Sequence, residues 1–332
     1  MFDVITIGSA TRDGFFEGID FLSVEGKCFV ANKGICLPLG SKVRVPEVHF
    51  FTGGSATNTA VSFARQGLKT AIVCRVGDDV SGKTIIEEQK KEKIVTQFIQ
   101  KDCTVPTAYS VIFLTPSGER TILSYKGCAE KLTVKKIPWK KIQTRWLCIG
   151  SLGKEKNILK KIIQFAVSKN IKLAINPGWN EINWLKKNPK WIDKFEIFIC
   201  NQEEAAYFTG IPYNKEKKIF KRLDDLVKGI VVMTKGKDGV SVSNGKTLWK
   251  AKILKKKKVI DVTGAGDAFV SGFISVFVRQ ERINEKVIEE AIRIGIANAS
   301  SVVGHIGTKP GILYKKDFKQ SKFKNLKIQK YE

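Results

Sequence analysis

Between Trp146 and Thr234 short apolar runs alternate with stretches of helical length: WLCIG, a lysine-rich segment, KLAIN, a short segment, FEIFIC, a further segment, then GIVVMT. Apolar runs of this length, rich in β-branched residues, form strands buried on both faces. Strands separated by helices pair in parallel, with the helices crossing over the sheet. The alternation therefore restricts the chain to an α/β fold with a mostly parallel central sheet flanked by helices. A chain of 332 residues can bury one large core of this kind, and no linker, internal repeat or low-complexity boundary divides it.

The rest of the chain adds β structure. DVITIG opens as a strand leaving the core toward a loop, and residues 27–51, KCFVANKGICLPLGSKVRVPEVHFF, read as a small antiparallel sheet. SATNTAVSFARQGL is a helix with a small-residue face, TAIVCRV a buried strand and VSGKTIIEEQKKEKI an amphipathic helix. TAYSVIFLTPSGERTILSYKG is hairpin-like, with turn chemistry at P-S-G-E, and the two β excursions are expected to pair as one small sheet. DGVSVSN and KTLWKAKI form a further hairpin, two long helices span about 267–280 and 285–303, and KQSKFKNLKIQKYE is a basic, solvated surface tail.

A formal charge of +26 raises nucleic acid as a partner. The lysines are spread along the chain, with Lys255 to Lys258 the one uninterrupted block, and no aromatic-rich RNA motif or zinc-finger spacing accompanies them. A lysine-biased solvated surface is the expectation, with attraction of anionic substrates second. The seven cysteines never form a C-x-x-C pair, several lie in apolar runs, and the two histidines are far apart, which points away from zinc and toward a reducing cytoplasm. No apolar run reaches the length of a membrane span, and MFDVITIGSATRDGFF lacks the basic and apolar regions of a signal peptide.

Two stretches compete for phosphate chemistry. GDDVSGKT, Gly77 to Thr84, fits the P-loop pattern. There, however, Asp78 and Asp79 would set two negative charges against an anionic ligand, no glycine lies between Gly77 and Gly82, and Lys83 reads as a surface residue in a first helical turn. DVTGAGDAFVSGFISVF, Asp261 to Phe277, instead runs from a G-A-G core straight into an amphipathic helix with Phe269, Phe273 and Phe277 at four-residue spacing. The N–H groups of Gly264, Ala265 and Gly266 would point from a helix N-terminus, where unpaired donors and the positive dipole end favour an anion. Asp267 beside them is placed to accept a proton from an attacking hydroxyl. By itself G-A-G-D also suits a tight turn with a capping aspartate.

The surroundings decide, because the chain resembles the ribokinase-like carbohydrate kinases, the PfkB family. DVTGAGDAFVSGF is similar to the family's C-terminal signature and GGSATNTAVSFARQG followed by VGDDVSGK to its N-terminal one, and the likeness runs from GSATRD to NASSVVGHIGTKPG. The resemblance implies a ribokinase-like fold, one domain over residues 1–332, with a small β-sheet lid from about 14–51 and 103–127. It implies Asp267 as catalytic base, with Gly264, Ala265 and Gly266 as the anion hole around the transferring phosphoryl group. The helix dipole does not raise that carboxyl's pKa, so Asp267 is expected to act by placement.

The resemblance further implies ATP as co-substrate and Mg2+. CNQEE holds the family's N-x-x-E pattern as Asn201 and Glu204, which would organise water-coordinated Mg2+ and the ATP phosphates while also forming a capping box. TKGKDG is similar to the nucleotide loop, with Thr234 and Gly236 near the phosphates and ribose, and Asn298 falls near the adenine-side wall. Asp261 and Thr263 match positions that in many members help bind K+.

At the acceptor end GSATRD places Asp13 where the family carries a carboxylate gripping two hydroxyls. Gly53 and Gly54 permit close approach of a sugar, and Asn58 supplies an amide. SLGKE after WLCIG departs from the acidic sugar contact of several ribokinases, and Arg120 or Lys126 would suit an anionic group. The implied activity is ATP-dependent phosphorylation of a hydroxyl on a small sugar or related polyol. One alternative is a nucleoside kinase of the same family, with Phe15, Phe16 or Tyr109 stacking on a base. Another is a basic nucleic-acid-binding protein on a kinase scaffold. Lids of the family often pair between subunits, which implies a homodimer.

Overall fold

The structure is a computed structural model and describes residues 1–26, 32–115, 120–254, 259–319, 323 and 326–331. The P-S-G-E turn, the Lys255 to Lys258 block and Cys28 lie outside the described residues.

β1 (Phe2–Ile7) opens the chain, and β2 (Thr11–Glu17) leaves it for a second sheet. A hairpin of β3 (Leu22–Glu25) and β4 (Lys33–Cys36) precedes β5 (Glu47–Gly53), which runs into α1 (Ser55–Arg65). β6 (Thr70–Val73), β7 (Arg75–Gly77), α2 (Val80–Lys91) and β8 (Gln100–Asp102) follow, then β9 (Ala108–Leu114) and β10 (Arg120–Tyr125). The repeating half comprises β11 (Thr144–Ile149), α3 (Ile158–Ser168), β12 (Lys172–Ile175), α4 (Trp179–Lys187), β13 (Ile197–Asn201), α5 (Gln202–Thr209), α6 (Glu216–Leu226) and β14 (Ile230–Thr234). β15 (Val240–Ser243), β16 (Leu248–Ala251), α7 (Ala265–Val278), α8 (Glu285–Val302) and β17 (Ile328–Tyr331) complete it.

The central sheet has nine strands in the order β17-β16-β15-β14-β13-β12-β11-β1-β6. β6, β1 and β11 to β14 run parallel and the last three antiparallel. Alternate residues of the parallel strands enter different cores, which is why these strands read as unbroken apolar runs. Ile5, Ile7, Leu147 and Ile149 pack beneath α3 to α6, while Val4, Trp146 and Cys148 pack beneath α7 and α8. Ile219, Phe220 and Leu223 of α6, three and four apart, show how one helical face supplies the lower layer. Burying each such side chain contributes about 1.5–3 kcal/mol before conformational entropy is charged.

A separate four-stranded sheet, β10-β9-β2-β5, has β2 parallel to β9 and antiparallel to β5. Phe15, Ile112 and Leu114 form its small core with Phe51 and Ile306. The two β excursions thus share one sheet without pairing directly, because β2 lies between β5 and β9, and residues 27–51 do not form a sheet of their own: β4 pairs with β3 in a separate two-stranded sheet while β5 pairs with β2.

Three local readings are corrected. TAIVCRV breaks at Cys74, so β6 stays in the central sheet while β7 pairs with β8. The α7 helix is buried on every side from Ala268 to Val278, because α1 and α8 cover the face turned from the sheet. Gly272 lets α8 approach, since a Cβ there would lie 3.1 Å from the Gly295 Cα. The basic tail ends in β17, hydrogen-bonded to β16 with most of its side chains exposed. Lys330 suits an edge strand, where charge blocks further pairing.

Candidate active site

Parallel strands deliver their C-terminal ends to one edge of a sheet, where loops converge. β13 ends at Asn201 and β14 at Thr234, and these two residues are directly paired across the strands. Asn201 caps α5: its Oδ1 accepts from Glu204 N (2.8 Å) while Glu204 Oε2 accepts from Asn201 N (2.8 Å). Burial pushes the Glu204 carboxyl pKa up, against the pull of that backbone donor. Thr234 is half-buried, and Gly236 has φ 54° with open space where a Cβ would stand. The structure therefore brings together Asn201, Glu204, Thr234 and Gly236.

At the other end β2 carries Asp13, which is buried and accepts from Thr11 Oγ1 (3.0 Å) and from the Ser110 side chain. Burial raises its pKa, opposed by those two donors and by the charges of Lys309 and Arg12. Gly53 makes room for this carboxylate, since a Cβ at Gly53 would collide with Asp13 Oδ2. Gly54 has φ 100°, and a Cβ there would lie 2.6 Å from the Ser9 carbonyl oxygen.

Between these ends lies the N-terminus of α7. Gly264 has φ 79°, packs against Thr308 and starts the helix without a side-chain cap. Ala265 N makes a turn bond to Val262 O (3.3 Å), and Gly266 faces open space. Asp267 follows in the first turn, and its Oδ2 accepts from Asn58 Nδ2 (2.8 Å). Burial raises the Asp267 pKa, opposed by that hydrogen bond and by Lys309. Desolvation, rather than the helix dipole, is thus the largest influence on this carboxyl.

Asn58 is buried, its Nδ2 donates to Asp267 and its Oδ1 accepts from Thr308 Oγ1 (2.9 Å), so the amide orients the carboxylate with one of its two N–H donors. Asn298 is fully buried, donates to Ser62 Oγ (3.0 Å) and Ala268 O (2.8 Å) and accepts from Leu313 N (3.0 Å), which ties α8 to α1 and α7 and leaves the amide no free N–H donor. Asp261, fully buried, accepts from Thr263 N (2.8 Å), Thr263 Oγ1 (2.6 Å) and Gly307 N (3.1 Å). Phe15 sits in the core of the small sheet and Phe16 packs on Phe113, so Phe15 has no face for a base.

Asp79 rules on GDDVSGKT. Its carboxylate caps α2 at Gly82 N (2.7 Å) and accepts from Thr107 N (2.7 Å) and Thr107 Oγ1 (2.7 Å). Burial alone would raise its pKa, but these donors outweigh burial and hold it below the usual range. An internal anion already occupies this helix N-terminus, and Lys83 is exposed.

Sequence reasoning missed Thr52, Thr308 and Lys309. Lys309 is buried and donates to Thr52 O (2.7 Å) and Glu88 Oε2 (3.1 Å). Nothing in GTKPG separates it from the many surface lysines; only its position between glycines and a proline hints at a fixed backbone.

A buried carboxylate in the first turn of an uncapped helix, on a mostly parallel sheet with a small separate sheet, belongs to a phosphotransferase with an alcohol group as acceptor and a ribokinase-like fold. The chain belongs to the pfkB family of carbohydrate kinases, whose pattern matches residues 24–313, and this is a family of ATP-using kinases. A ribokinase of Haemophilus influenzae is 28% identical over 267 residues, covering 78% of this chain and 83% of that protein. The structure of Arabidopsis thaliana ribokinase complexed with ribose and ATP shares the fold with a TM-score of 0.73 at 21% identity, over 94% of this chain and 96% of that one. The nucleoside kinase of Methanocaldococcus jannaschii, an archaeal member of the ribokinase family, shares it with a TM-score of 0.75 at 21% identity, over 97% and 98%. Among the described residues no helix is long and apolar enough to cross a membrane.

Proposed function

We propose that this protein transfers the γ-phosphoryl group of ATP to a hydroxyl of a small sugar or related polyol. The observation that carries this reading is the 2.8 Å Asn58–Asp267 hydrogen bond, which fixes a buried carboxylate beside the open N-terminus of α7. Asp13, housed by Gly53, grips two acceptor hydroxyls, with Gly54 shaping the same turn. Asp267 takes the proton of the attacking hydroxyl as its oxygen bonds to the γ-phosphorus and the bond to the β,γ-bridging oxygen breaks, leaving ADP. Amides of Gly264, Ala265 and Gly266 stabilise the charge on the moving group, where positioning and electrostatics supply most of the rate.

Asn201, Glu204, Thr234 and Gly236 form the nucleotide side. The carboxylate and amide oxygens of Glu204 and Asn201 are hard donors that suit Mg2+ held through water, and when bound the ion neutralises charge on the ATP phosphates. Asp261 is a fully buried carboxylate that among the described residues has hydrogen bonds but no ion pair, a donor set that fits a monovalent cation such as K+ together with Thr263. The chain acts as one domain, and the small sheet, within about residues 14–51 and 103–127, serves as a lid that closes over the acceptor and excludes water. Val48, Phe50, Leu123 and Tyr125, on one exposed face of that sheet, support pairing of lids in a homodimer. The unpaired cysteines among the described residues accord with the cytoplasm.

The test is ADP formation with sugars, sugar acids, sugar phosphates and nucleosides, with and without K+. Acceptor-dependent turnover is expected, falling about 10²–10⁴-fold in Asp267→Asn and persisting in Lys83→Ala. Loss of turnover through Lys83→Ala would overturn the assignment, and nucleosides outrunning every sugar would replace the acceptor class.

A further inference from the structure

Residues 308 and 309 reach the two buried carboxylates of the site by separate routes. Thr308 donates to Asn58, which donates to Asp267. Lys309, next in sequence, extends its ammonium into a fully enclosed position beside β5. It donates to the Thr52 carbonyl (2.7 Å), to Thr52 Oγ1 and to Glu88 Oε2 (3.1 Å), and Thr52 Oγ1 in turn donates to Glu88 Oε2. All three ammonium donors are thus spent, and the cation is a fixed point. Its backbone is fixed as well, because Arg65 of α1, paired with Glu92 (2.6 Å), donates to the Lys309 carbonyl (2.8 Å) and to that of Ile312 (3.1 Å).

A buried ammonium needs more counter-charge than this ion pair offers. The Glu88 side chain is 33% exposed and partly screened by water, whereas that of Lys309 is 5% exposed. We propose that Lys309 is a positioning residue of the acceptor end, an internal cation that fixes the Thr52–Gly53 turn around Asp13 and supplies the counter-charge shared by Asp13 and Asp267. Its effect on turnover rests on the phosphotransfer reading; its electrostatic effect does not.

The charged and titratable groups around it come from every neighbouring element. Glu88 of α2 and Asp13 of β2 favour the ammonium, and Arg65 of α1 opposes it, while burial is the largest influence and lowers its pKa. Asp267 of α7 and the buried Cys74 after β6 both feel its charge, and Cys148 of β11 feels that of Asp267. For both aspartates burial raises the pKa and Lys309 counteracts it. Removing the cation therefore moves proton loss from Asp267 to higher pH, and removing Glu88 while keeping the cation moves it lower.

The experiment compares wild type with Lys309→Met, Lys309→Arg and Glu88→Gln. It follows the pH dependence of kcat/KM, the acceptor KM, the thermal midpoint and 13C NMR titration of carboxyl-labelled aspartate, with the Asp267 signal assigned through Asp267→Asn. Lys309→Met is expected to raise the acid limb and the Asp267 titration by about one pH unit and to raise the acceptor KM about tenfold. Lys309→Arg should return the limb toward wild type, and Glu88→Gln should shift it the opposite way. A Lys309→Met protein with a lowered midpoint but an unchanged limb and titration overturns the proposal. So does a Glu88→Gln limb that stays in place or rises, which decides the matter if Lys309→Met does not fold. If wild type phosphorylates no acceptor, the functional reading fails while the NMR comparison of wild type with the Lys309 variants still decides this one.

Discussion

Asp267 has to be ionised to take a proton, yet burial raises its pKa and so favours the neutral form. The folded state holds this proton more tightly than the unfolded chain, so stability contributed by the neutral carboxyl is present below the ordinary aspartate range and is lost as pH rises through the raised folded value. At neutral pH the fold carries the penalty in full. Asp267→Asn is therefore expected to raise the thermal midpoint at pH 7 while lowering turnover about 10²–10⁴-fold, and the gain in midpoint should vanish below about pH 4. Calorimetry at the two pH values checks it; a lowered midpoint at pH 7 would show that the carboxylate stabilises the fold. Gly53 shows the converse situation, where a missing side chain does the work: its hydrogen occupies space that any Cβ would take from Asp13.

At the scale of elements, α2 and α7 start from similar glycine-bearing loops and differ in what fills the N-terminus. Asp79 caps α2 and ties it to Thr107 on the way to β9, whereas α7 begins without a side-chain cap. Asp79→Ala removes three hydrogen bonds and is expected to lower stability by about 2 kcal/mol, measured by urea unfolding, while Lys83→Ala stays within about 0.5 kcal/mol of wild type. Equal stability of Asp79→Ala and wild type would mean that the cap is replaced by water at no cost. The P-loop pattern in GDDVSGKT could be rejected from sequence because two aspartates face a would-be anion; that one of them is itself the anion at the helix end needed the fold.

For the whole molecule, the lid sheet leaves Val48, Phe50, Leu123 and Tyr125 exposed on one face. Sedimentation should find a dimer that becomes monomeric in the double variant Phe50→Lys, Leu123→Lys; a monomeric wild type would refute lid pairing. The sequence by itself determined the parallel α/β core, because unbroken apolar strands separated by helical segments admit few other pairings, while Asp267, Asp13 and the glycines entered as site candidates through their likeness to family motifs. It gave no sign that the Asn58 and Asn298 amides are engaged inside the protein, since they look equally available in a string of letters. Tertiary structure alone decided that Asn58 serves Asp267, that Asn298 locks helices together, that α7 is buried on all sides and that one lysine of GTKPG lies inside the protein. Those outcomes depend on partners 209, 30 and 257 positions away along the chain, and burial and hydrogen bonding at such separations are set by packing, which no local pattern encodes.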